Sequence, residues 1–488
     1  MATITSADPG YCCADSKSQR GPVTDKRPPL LTDPDINKIA ERKLRSNRFR
    51  VLRWSLDSLD ETNGYMGQYY TLTVTVRIGE RTRDLIFFAK TPPQMSSPQY
   101  EFLMRFNTFD KEMIVYSEMV PSMGKGSGHK WAPDFYFGRS NTVLVLENAT
   151  HEGYEMPDKY VALDEDHCIW AVKALCLLHS RSLILDEKLR RSTGQTILDL
   201  YGHLLVEVAF VEHDVPAEKY LKSCVTGAST IVDLVESMSE LEKAEVKARI
   251  ARWILKLPRL LGQSSKFRNV VVHRDTWVNN MMFKDDAAGK PIGCYLIDFQ
   301  FLRYCPPAID FMTSICLITD RATRSRCFDT FVDVYCDTMR AELAKAGLDV
   351  NECLPRGEFV ESCEVYRPIA LAYSVSNLQI MLLTKQAVEQ YFVGSTDQLE
   401  YVMYGDQRSE LVLSQCAAVK AYQTRIVEVI EEIKDHMPEY PYEIFSLTSR
   451  FCLGLPYMRN IKSLSDLYIS KYTNKKYGDT FFLSNRKF

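Results

Sequence analysis

Three oxygen-bearing side chains stand within one largely apolar segment of the chain. The valine run 270–272 leads into Asp275, and Asn280 stands five residues further on. Two more apolar runs, joined by a polar turn, then lead back to Asp298. Because short apolar runs bounded by turn residues are typical of strands, the segment 269–299 predicts a hairpin that brings these three side chains together.

The residue types in this cluster are those that phosphoryl transfer needs. One carboxylate must orient the attacking hydroxyl, and hard oxygen ligands must hold Mg²⁺ against the phosphates. We therefore predict Asp275 as the catalytic residue, with Asn280 and Asp298 as metal ligands. A single Asp or Asn is more often a solvated or helix-capping residue, but three at this spacing favour a site. His273 is expected to brace the loop through hydrogen bonds.

A site of this kind also needs a cation on the phosphates. Lys90 ends the apolar run 85–89, where an unpaired ammonium group would be costly. Glu112, in the helical pattern that follows, is its expected partner, as in the strand-lysine to helix-glutamate pair of kinases. A surface lysine and an exposed helical glutamate would be the better interpretation if the downstream cluster were absent.

Two further segments are predicted to contact the nucleotide. Gly64 and Gly67 lie in a turn between two predicted strands, where a loop over the nucleotide belongs, although they do not complete a G-x-G-x-x-G motif. Glu147 ends a predicted strand where the two halves of the chain join, and backbone groups there can bind the adenine edge. The glycine-rich stretch 124–128 lacks the P-loop pattern and is expected to be a connecting loop.

Hydrophobic periodicity divides the chain into a β-rich part and a helical part, which predicts an α+β, two-lobed fold. We expect a disordered N-terminal extension (1–31), a nucleotide-binding N-lobe (32–147), a helical C-lobe (148–436) containing the hairpin, and a C-terminal extension (437–488). Strands are predicted at 47–56, 68–78, 83–90, 134–138 and 142–147, and helices at 34–45, 102–119, 163–182, 197–211, 217–261, 308–346, 357–393 and 407–436.

The composition argues against several classes of protein. The formal net charge of −3 at pH 7 and the pI near 6.3 lack the basic surplus of a nucleic-acid binder. The 14 cysteines form no C-x-x-C pair, which indicates buried thiols in a reducing compartment. No apolar signal segment is visible, and no apolar run approaches the roughly 18 residues of a membrane span. A soluble, cytoplasmic protein is expected, and no protein partner is indicated.

The motif at 273–275 superficially matches protein kinases, but three features oppose that interpretation. The predicted metal ligand is followed by Phe299 and Gln300 rather than Phe-Gly, and no Ala-Pro-Glu follows. Only about a dozen residues separate Asp298 from Asp310, which is too few for a peptide-docking loop. The sequence therefore favours a kinase of small molecules.

The motifs resemble those of the ecdysteroid kinase-like (choline-kinase-like) family, which is related to aminoglycoside phosphotransferases and choline kinases. The resemblance covers roughly residues 35–435 and rests on His273-Arg274-Asp275-Thr276-Trp277-Val278-Asn279-Asn280, on Leu296-Ile297-Asp298-Phe299-Gln300 with Asp310 beyond, and on the segments 109–112, 144–148 and 178–182.

This resemblance implies a protein-kinase-like fold, ATP with Mg²⁺, and phosphorylation of an alcohol hydroxyl on a small molecule such as an ecdysteroid or a hydroxylated xenobiotic. The chain departs from the family pattern at Arg274, where glycine is usual, at Asn148, where aspartate is usual, and in its glycine-poor loop at 64–67. The acceptor pocket is expected between the helices after Asp310 and the segment around Tyr154.

Two alternatives remain open from the sequence. A choline or aminoglycoside kinase would need acidic or aromatic groups around a cationic acceptor, whereas a steroid would need a mainly apolar pocket. A pseudokinase that acts as a binding module is opposed by the retention of all five residues Lys90, Glu112, Asp275, Asn280 and Asp298.

Overall fold

The protein is described by a computed structural model that covers residues 29–59, 67–95, 97–124, 126 and 128–441, without the side chain of Phe102. The N-terminal part contains α1 (Asp33–Leu44), β1 (Arg50–Ser58), β2 (Gln68–Ile78), β3 (Arg81–Thr91), α2 (Pro98–Phe106), α3 (Thr108–Ile114), α4 (Val120–Met123), β4 (Phe135–Arg139) and β5 (Val143–Glu147).

These strands form one antiparallel sheet of five in the order β1-β2-β3-β5-β4. Gly79 adopts a left-handed conformation (φ 59°) in the tight turn that joins β2 to β3. One face of the sheet packs on α1 through buried residues such as Ile36 and Ile39. The N-lobe thus has a small core of its own.

The single helix predicted at 102–119 is wrong, because the chain breaks it into α2, α3, a π-helical turn (Val115–Met119) and α4. Asn107 ends α2 with φ at 48°, a left-handed conformation that asparagine tolerates better than most residues. The buried residues Phe109 and Tyr116 belong to the same hydrophobic core as the C-terminal helices. The helix that carries Glu112 is therefore packed against the C-lobe.

The C-terminal part is mainly helical. It contains α5 (Glu165–Thr193), α6 (Ile197–Tyr201), α7 (Val215–Asp233), α8 (Glu240–Ile254), α9 (Leu257–Leu260), β6 (Val270–Val272), β7 (Met281–Asp285), β8 (Pro291–Leu296), β9 (Arg303–Cys305), α10 (Pro307–Ile318), α11 (Arg321–Lys345), α12 (Val350–Cys353), α13 (Arg356–Met381), α14 (Lys385–Val388), a π-helical turn (Glu389–Val393), α15 (Thr396–Tyr404), α16 (Arg408–Ala418) and α17 (Lys420–His436).

Helix α5 is the central helix of this lobe and begins at the side-chain cap of Asp164. It packs against α11 and the strands β6 and β8. By length and composition it is the one helix in the described ranges that would cross a membrane, but 67% of its apolar window is buried inside the protein. The core helix of a globular lobe passes the same test.

The hairpin expected within 269–299 is present as β7 and β8, but β6 is not part of it. Instead β6 pairs antiparallel with β9, a strand of three residues that is too short to be recognised from the sequence. The helix predicted at 197–211 is also wrong beyond residue 204, because Glu207 accepts hydrogen bonds from the N–H groups of residues 208–210 and folds them into a loop.

The predicted α+β class and the two-lobed, protein-kinase-like architecture are confirmed by the small antiparallel sheet and the large helical lobe. Leu31, which the sequence placed in the N-terminal extension, is buried in the N-lobe core. Met437 is likewise buried in the C-lobe core, one residue past the predicted boundary. Of the 11 cysteines in the described ranges, 10 are buried and all are free thiols.

Candidate active site

Lys90 lies near the end of β3, where it points between the lobes and is buried. Its Nζ is 2.7 Å from Glu112 Oε2 on α3 and 3.2 Å from Asp298 Oδ1, which follows β8. Burial alone would lower the pKa of Lys90, but Asp298 and Glu112 raise it well above its usual value. The ammonium group therefore stays protonated between the two carboxylates.

Asp275 and Asn280 are joined within the loop between β6 and β7. Asn280 Nδ2 donates to the backbone oxygen of Asp275 and to its Oδ2, each at 2.8 Å. This use of the amide nitrogen leaves the Asn280 carbonyl oxygen to reach a metal ion. Burial and the neighbouring Asp298 raise the pKa of Asp275 to about 7.

His273 braces the same loop. Its Nε2 lies 2.9 Å from the carbonyl oxygen of Ile297, and its Nδ1 accepts from the N–H of Asp275 at 3.3 Å. These partners require the neutral tautomer with the proton on Nε2. Burial lowers the pKa of His273, which agrees with a neutral ring.

Asp310, at the start of α10, holds the loop from beneath. Its carboxylate accepts from the N–H groups of His273 (2.5 Å) and Arg274 (2.9 Å), and His179 Nε2 lies 3.3 Å away. Arg274 needs this support, because its φ of 77° is unfavourable for a residue with a side chain. The sequence pointed to Asp310 only as part of a motif, because a contact across 36 residues leaves no spacing signal.

Asp298 adopts a left-handed backbone conformation with φ at 67°. Its Oδ2 accepts from Gln300 Nε2 at 3.2 Å, and its side chain is 23% exposed, toward the space between the lobes. No group of three or more His, Cys, Asp or Glu that could hold a metal occurs in the described part of the chain. The oxygen donors of Asp298 and Asn280 still suit Mg²⁺, which is usually bound through one or two protein oxygens plus phosphates and water.

Of the two glycines predicted to form a loop over the nucleotide, only Gly67 belongs to the residues that the structure describes. Gly64 lies outside the described residues. Gly67 lies beside the lysine, since a Cβ there would meet the Thr91 carbonyl oxygen at 3.0 Å and the Lys90 Cε and Cγ atoms at 3.4 Å. A side chain at this position would crowd the strand that carries Lys90.

Glu147 ends β5 at the junction of the lobes, and its side chain has partners within the protein. It contacts Lys130 Nζ at 3.0 Å and accepts from the Asp134 N–H (3.2 Å) and the Tyr295 hydroxyl (3.3 Å). Its own N–H donates to the Asp134 carbonyl oxygen at 2.7 Å. An adenine edge would therefore have to bind other backbone groups of residues 147–149.

One cavity of about 850 Å³ between the lobes, the large cavity, is lined by all five charged or metal-binding candidates: Lys90, Glu112, Asp275, Asn280 and Asp298. We name the two ends of this cavity after their predicted roles. The nucleotide half is lined by Lys90, Glu112, Asn280 and Asp298, with Leu146 and residues 147–149 at its edge. The other end, the acceptor half, is apolar and is lined from α13, the π-helical turn at 389–393 and α15 by Ile380, Met381, Phe392, Leu399 and Met403.

The acceptor half lies among helices that follow Asp310, on the side where the acceptor pocket was expected. The segment around Tyr154, also expected there, contributes His151, Glu155 and Met156 to the cavity lining, whereas the Tyr154 ring itself stacks on Tyr295 at 3.9 Å between centroids. The sequence reasoning missed the apolar residues of this half, because apolar helix faces look alike whether they bury a core or line a pocket.

The sequence model of the ecdysteroid kinase-like family matches residues 61–348, more than half of the chain. The protein belongs to this family. Membership supports phosphotransferase activity on a small molecule, and Lys90, Glu112, Asp275, Asn280 and Asp298 lie within the matched range, whereas the residues of the acceptor half lie beyond it. No match was found among the curated proteins.

This ecdysteroid kinase-like chain also has similarities among solved structures. An ethanolamine kinase from Plasmodium vivax is 11% identical, with a TM-score of 0.33 and coverage of 76% of this chain and 83% of the other. A choline kinase from Streptococcus pneumoniae is 14% identical (TM-score 0.30; 78% and 99% covered), and a microcompartment-associated aminopropanol kinase is 14% identical (TM-score 0.35; 77% and 97%). These TM-scores are too low to bear on the function of the chain.

Proposed function

We propose that this chain is an ATP- and Mg²⁺-dependent kinase that phosphorylates an alcohol hydroxyl of a small, largely apolar molecule. The observation that carries the proposal is the position of Asp275. It lines the same cavity as the charged residues of the nucleotide half and the apolar residues of the acceptor half. A carboxylate in that position can orient a hydroxyl toward a phosphate.

Each charged residue has a role that its contacts support. Bound Mg²⁺–ATP would supply the transferable phosphoryl group and neutralise part of its charge. Asp275 orients the acceptor hydroxyl and takes up its proton, for which a raised pKa near 7 is well matched. Asn280 and Asp298 are the metal ligands, and Lys90, fixed by Glu112, neutralises the phosphates.

The lining of the acceptor half favours an uncharged acceptor. The five side chains of the acceptor half are Ile380, Met381, Leu399, Met403 and one aromatic ring, Phe392, and none of them is a carboxylate that could pair with a cation. An ecdysteroid or a hydroxylated xenobiotic fits such a surface better than choline or an aminoglycoside does, because burying a cationic group without a partner is costly.

The test is a screen of ATP consumption with the full chain and Mg²⁺ against ecdysteroids, choline-like amines and hydroxylated xenobiotics. We expect turnover with uncharged alcohols and little with the amines, with Asp275→Asn as the background control. Preferential turnover of the amines would contradict the acceptor assignment. No thermal shift with ATP at any Mg²⁺ concentration would favour a binding module without catalytic activity.

A further inference from the structure

A second, smaller cavity of about 160 Å³ adjoins the large one; we call it the side pocket. Of the five charged or metal-binding residues proposed for the site, Asp275 alone also lines the side pocket. The residues that line both cavities are Tyr220, Asp275, Phe301, Asn377, Met403 and Tyr404. Asp275 therefore lies at the junction of two spaces that extend in different directions.

The floor of the side pocket is a fixed array of rings and charges. The Arg274 guanidinium lies between the rings of Phe210 and Tyr373, at 5.1 and 4.5 Å from their centroids. The Tyr373 hydroxyl donates to the Arg274 carbonyl oxygen at 3.2 Å. Rings held on both sides of a buried guanidinium have little freedom to collapse into the space above them.

The wall formed by residues 206–210 is held as firmly. Glu207 forms an ion pair with Arg303 and lies 3.7 Å from Arg274 Nη2. Burial would raise the pKa of Glu207, but the two arginines lower it to about 2, so the carboxylate stays charged and paired. The same side chain accepts N–H groups of the loop, which fixes Ala209 against the pocket.

We propose that the side pocket is a second acceptor subsite, which holds an apolar, ring-sized group on the carbon that carries the reacting hydroxyl. The proposal rests on the proposed function, because it places that hydroxyl at Asp275. Apart from Asp275, the charged residues that line part of the pocket are already paired, Glu207 with Arg303 and Arg274, and Asp214 with Arg105, so the remaining lining is mainly apolar. A cavity of about 150 Å³ has room for a benzene-sized group. A hydroxyl at the junction can be flanked on both sides, so the preferred acceptor is an internal, secondary alcohol rather than the primary alcohol at the end of a chain.

The test measures binding of three alcohols to the full chain with Mg²⁺ and the non-transferable analogue AMP-PNP, by calorimetry. Diphenylmethanol has one ring on each side of the hydroxyl-bearing carbon. The primary alcohol (4-benzylphenyl)methanol has the same number of rings, both on one side, and benzyl alcohol has a single ring. We expect diphenylmethanol to bind at least about tenfold more tightly than either primary alcohol, because only it buries a ring in each space.

Filling the side pocket should remove this preference. Ala209→Leu and Ala217→Leu place bulk in the pocket from two different walls. Both should lower the affinity for diphenylmethanol to that of benzyl alcohol and leave benzyl alcohol binding unchanged. Ala288→Leu, in the exposed turn between β7 and β8, is the matched control and should keep the preference.

Three results would overturn the subsite: equal affinities for the three alcohols in the wild-type chain, no binding of diphenylmethanol, or a preference that survives both substitutions. The wild-type comparison needs no variant, so a variant that fails to fold does not decide the outcome. Phosphate transfer from ATP to diphenylmethanol is measured separately. Absence of transfer together with an intact binding preference would count against the proposed kinase function and leave the subsite in place.

Discussion

The two halves of the large cavity are held in place by different forces. In the nucleotide half, Lys90, Glu112 and Asp298 are locked by ion pairs of 2.7 and 3.2 Å. In the acceptor half, side chains such as Ile380 and Leu399 lie on helices and make apolar contacts without a directional partner. Directional contacts tolerate few replacements, whereas apolar surfaces tolerate many of similar volume. Chemistry should therefore be sensitive to changes of charge at one end, and acceptor choice to changes of size at the other.

The sharpest test of this contrast is Asp275→Asn. The substitution keeps the shape of the side chain and removes the carboxylate that we propose orients and deprotonates the acceptor, so kcat should fall by about 10²–10⁴-fold. Binding of Mg²⁺–ATP, followed by thermal shift, should persist. Asp329→Asn, at an exposed position on α11, is the control. A kcat near that of the wild type would remove Asp275 from its proposed role.

Lys90→Met should produce the next largest effect, and it should be confined to the nucleotide half. The loss of the ammonium group leaves Glu112 and Asp298 close together without their shared cation. The cation that neutralises the phosphates is lost as well, and removing one such electrostatic stabiliser costs about 10²–10³ in rate, so kcat/KM for ATP should fall by roughly 10²-fold or more. Lys290→Met, at an exposed position, should change nothing. If Lys90→Met weakened binding of the acceptor as much as it weakened use of ATP, the two halves of the cavity would not act independently.

The nucleotide half was largely predictable from the sequence, and the acceptor half was not. Asp275, Asn280 and Asp298 stand in one segment whose strand and turn pattern predicts their convergence, and Lys90 is conspicuous as a charge at the end of an apolar strand. The acceptor half is assembled from α13, the π-helical turn at 389–393 and α15, which lie far along the chain from the segment 269–299. Their apolar faces follow the same periodicity as core helices, so only the packed structure shows which residues face a cavity.

Local breaks in regular structure were harder still to predict. The strand β9 has three residues and is defined by its pairing with β6 rather than by its own pattern. The loop after residue 204 depends on Glu207, whose charge is fixed by Arg303 from about a hundred residues away. Such tertiary partners override helical propensity and leave no local signal.

The acceptor half should respond to a change of size with a smaller effect. Ile380→Ala removes apolar surface from this half, and the loss of a few methyl or methylene contacts in a pocket is worth about 10-fold or more in kcat/KM. The effect should appear for the alcohol and be absent for ATP, measured by varying each substrate in turn. Ile292→Ala, on an exposed part of β8, is the control. An equal fall in kcat/KM for ATP would show that the two halves of the cavity are coupled.

The smallest expected effect concerns Lys111, which joins α3 to the backbone just before β9. It is the neighbour of Glu112 on α3, and its Nζ donates to the Leu302 carbonyl oxygen at 2.8 Å, behind the side pocket. Burial lowers the pKa of Lys111 from 10.5 to about 7, with Glu207 opposing and Arg303 reinforcing the shift. Between these two values the unfolded chain binds this proton and the folded chain releases it, so stability rises with pH through that window.

Lys111→Met removes this titration while keeping the length of the side chain. From pH 7 to pH 9 the wild type should therefore gain about 1–2 kcal/mol of stability relative to the variant, visible as a rising difference in melting temperature. Lys219→Met, at an exposed position on α7, should show no such pH-dependent difference. A constant difference would mean that Lys111 is already neutral, or still charged, across the whole range. The hydrogen bond from Lys111 to Leu302 would then keep one charge state throughout, and the link between the helix of Glu112 and the backbone before β9 would not respond to pH.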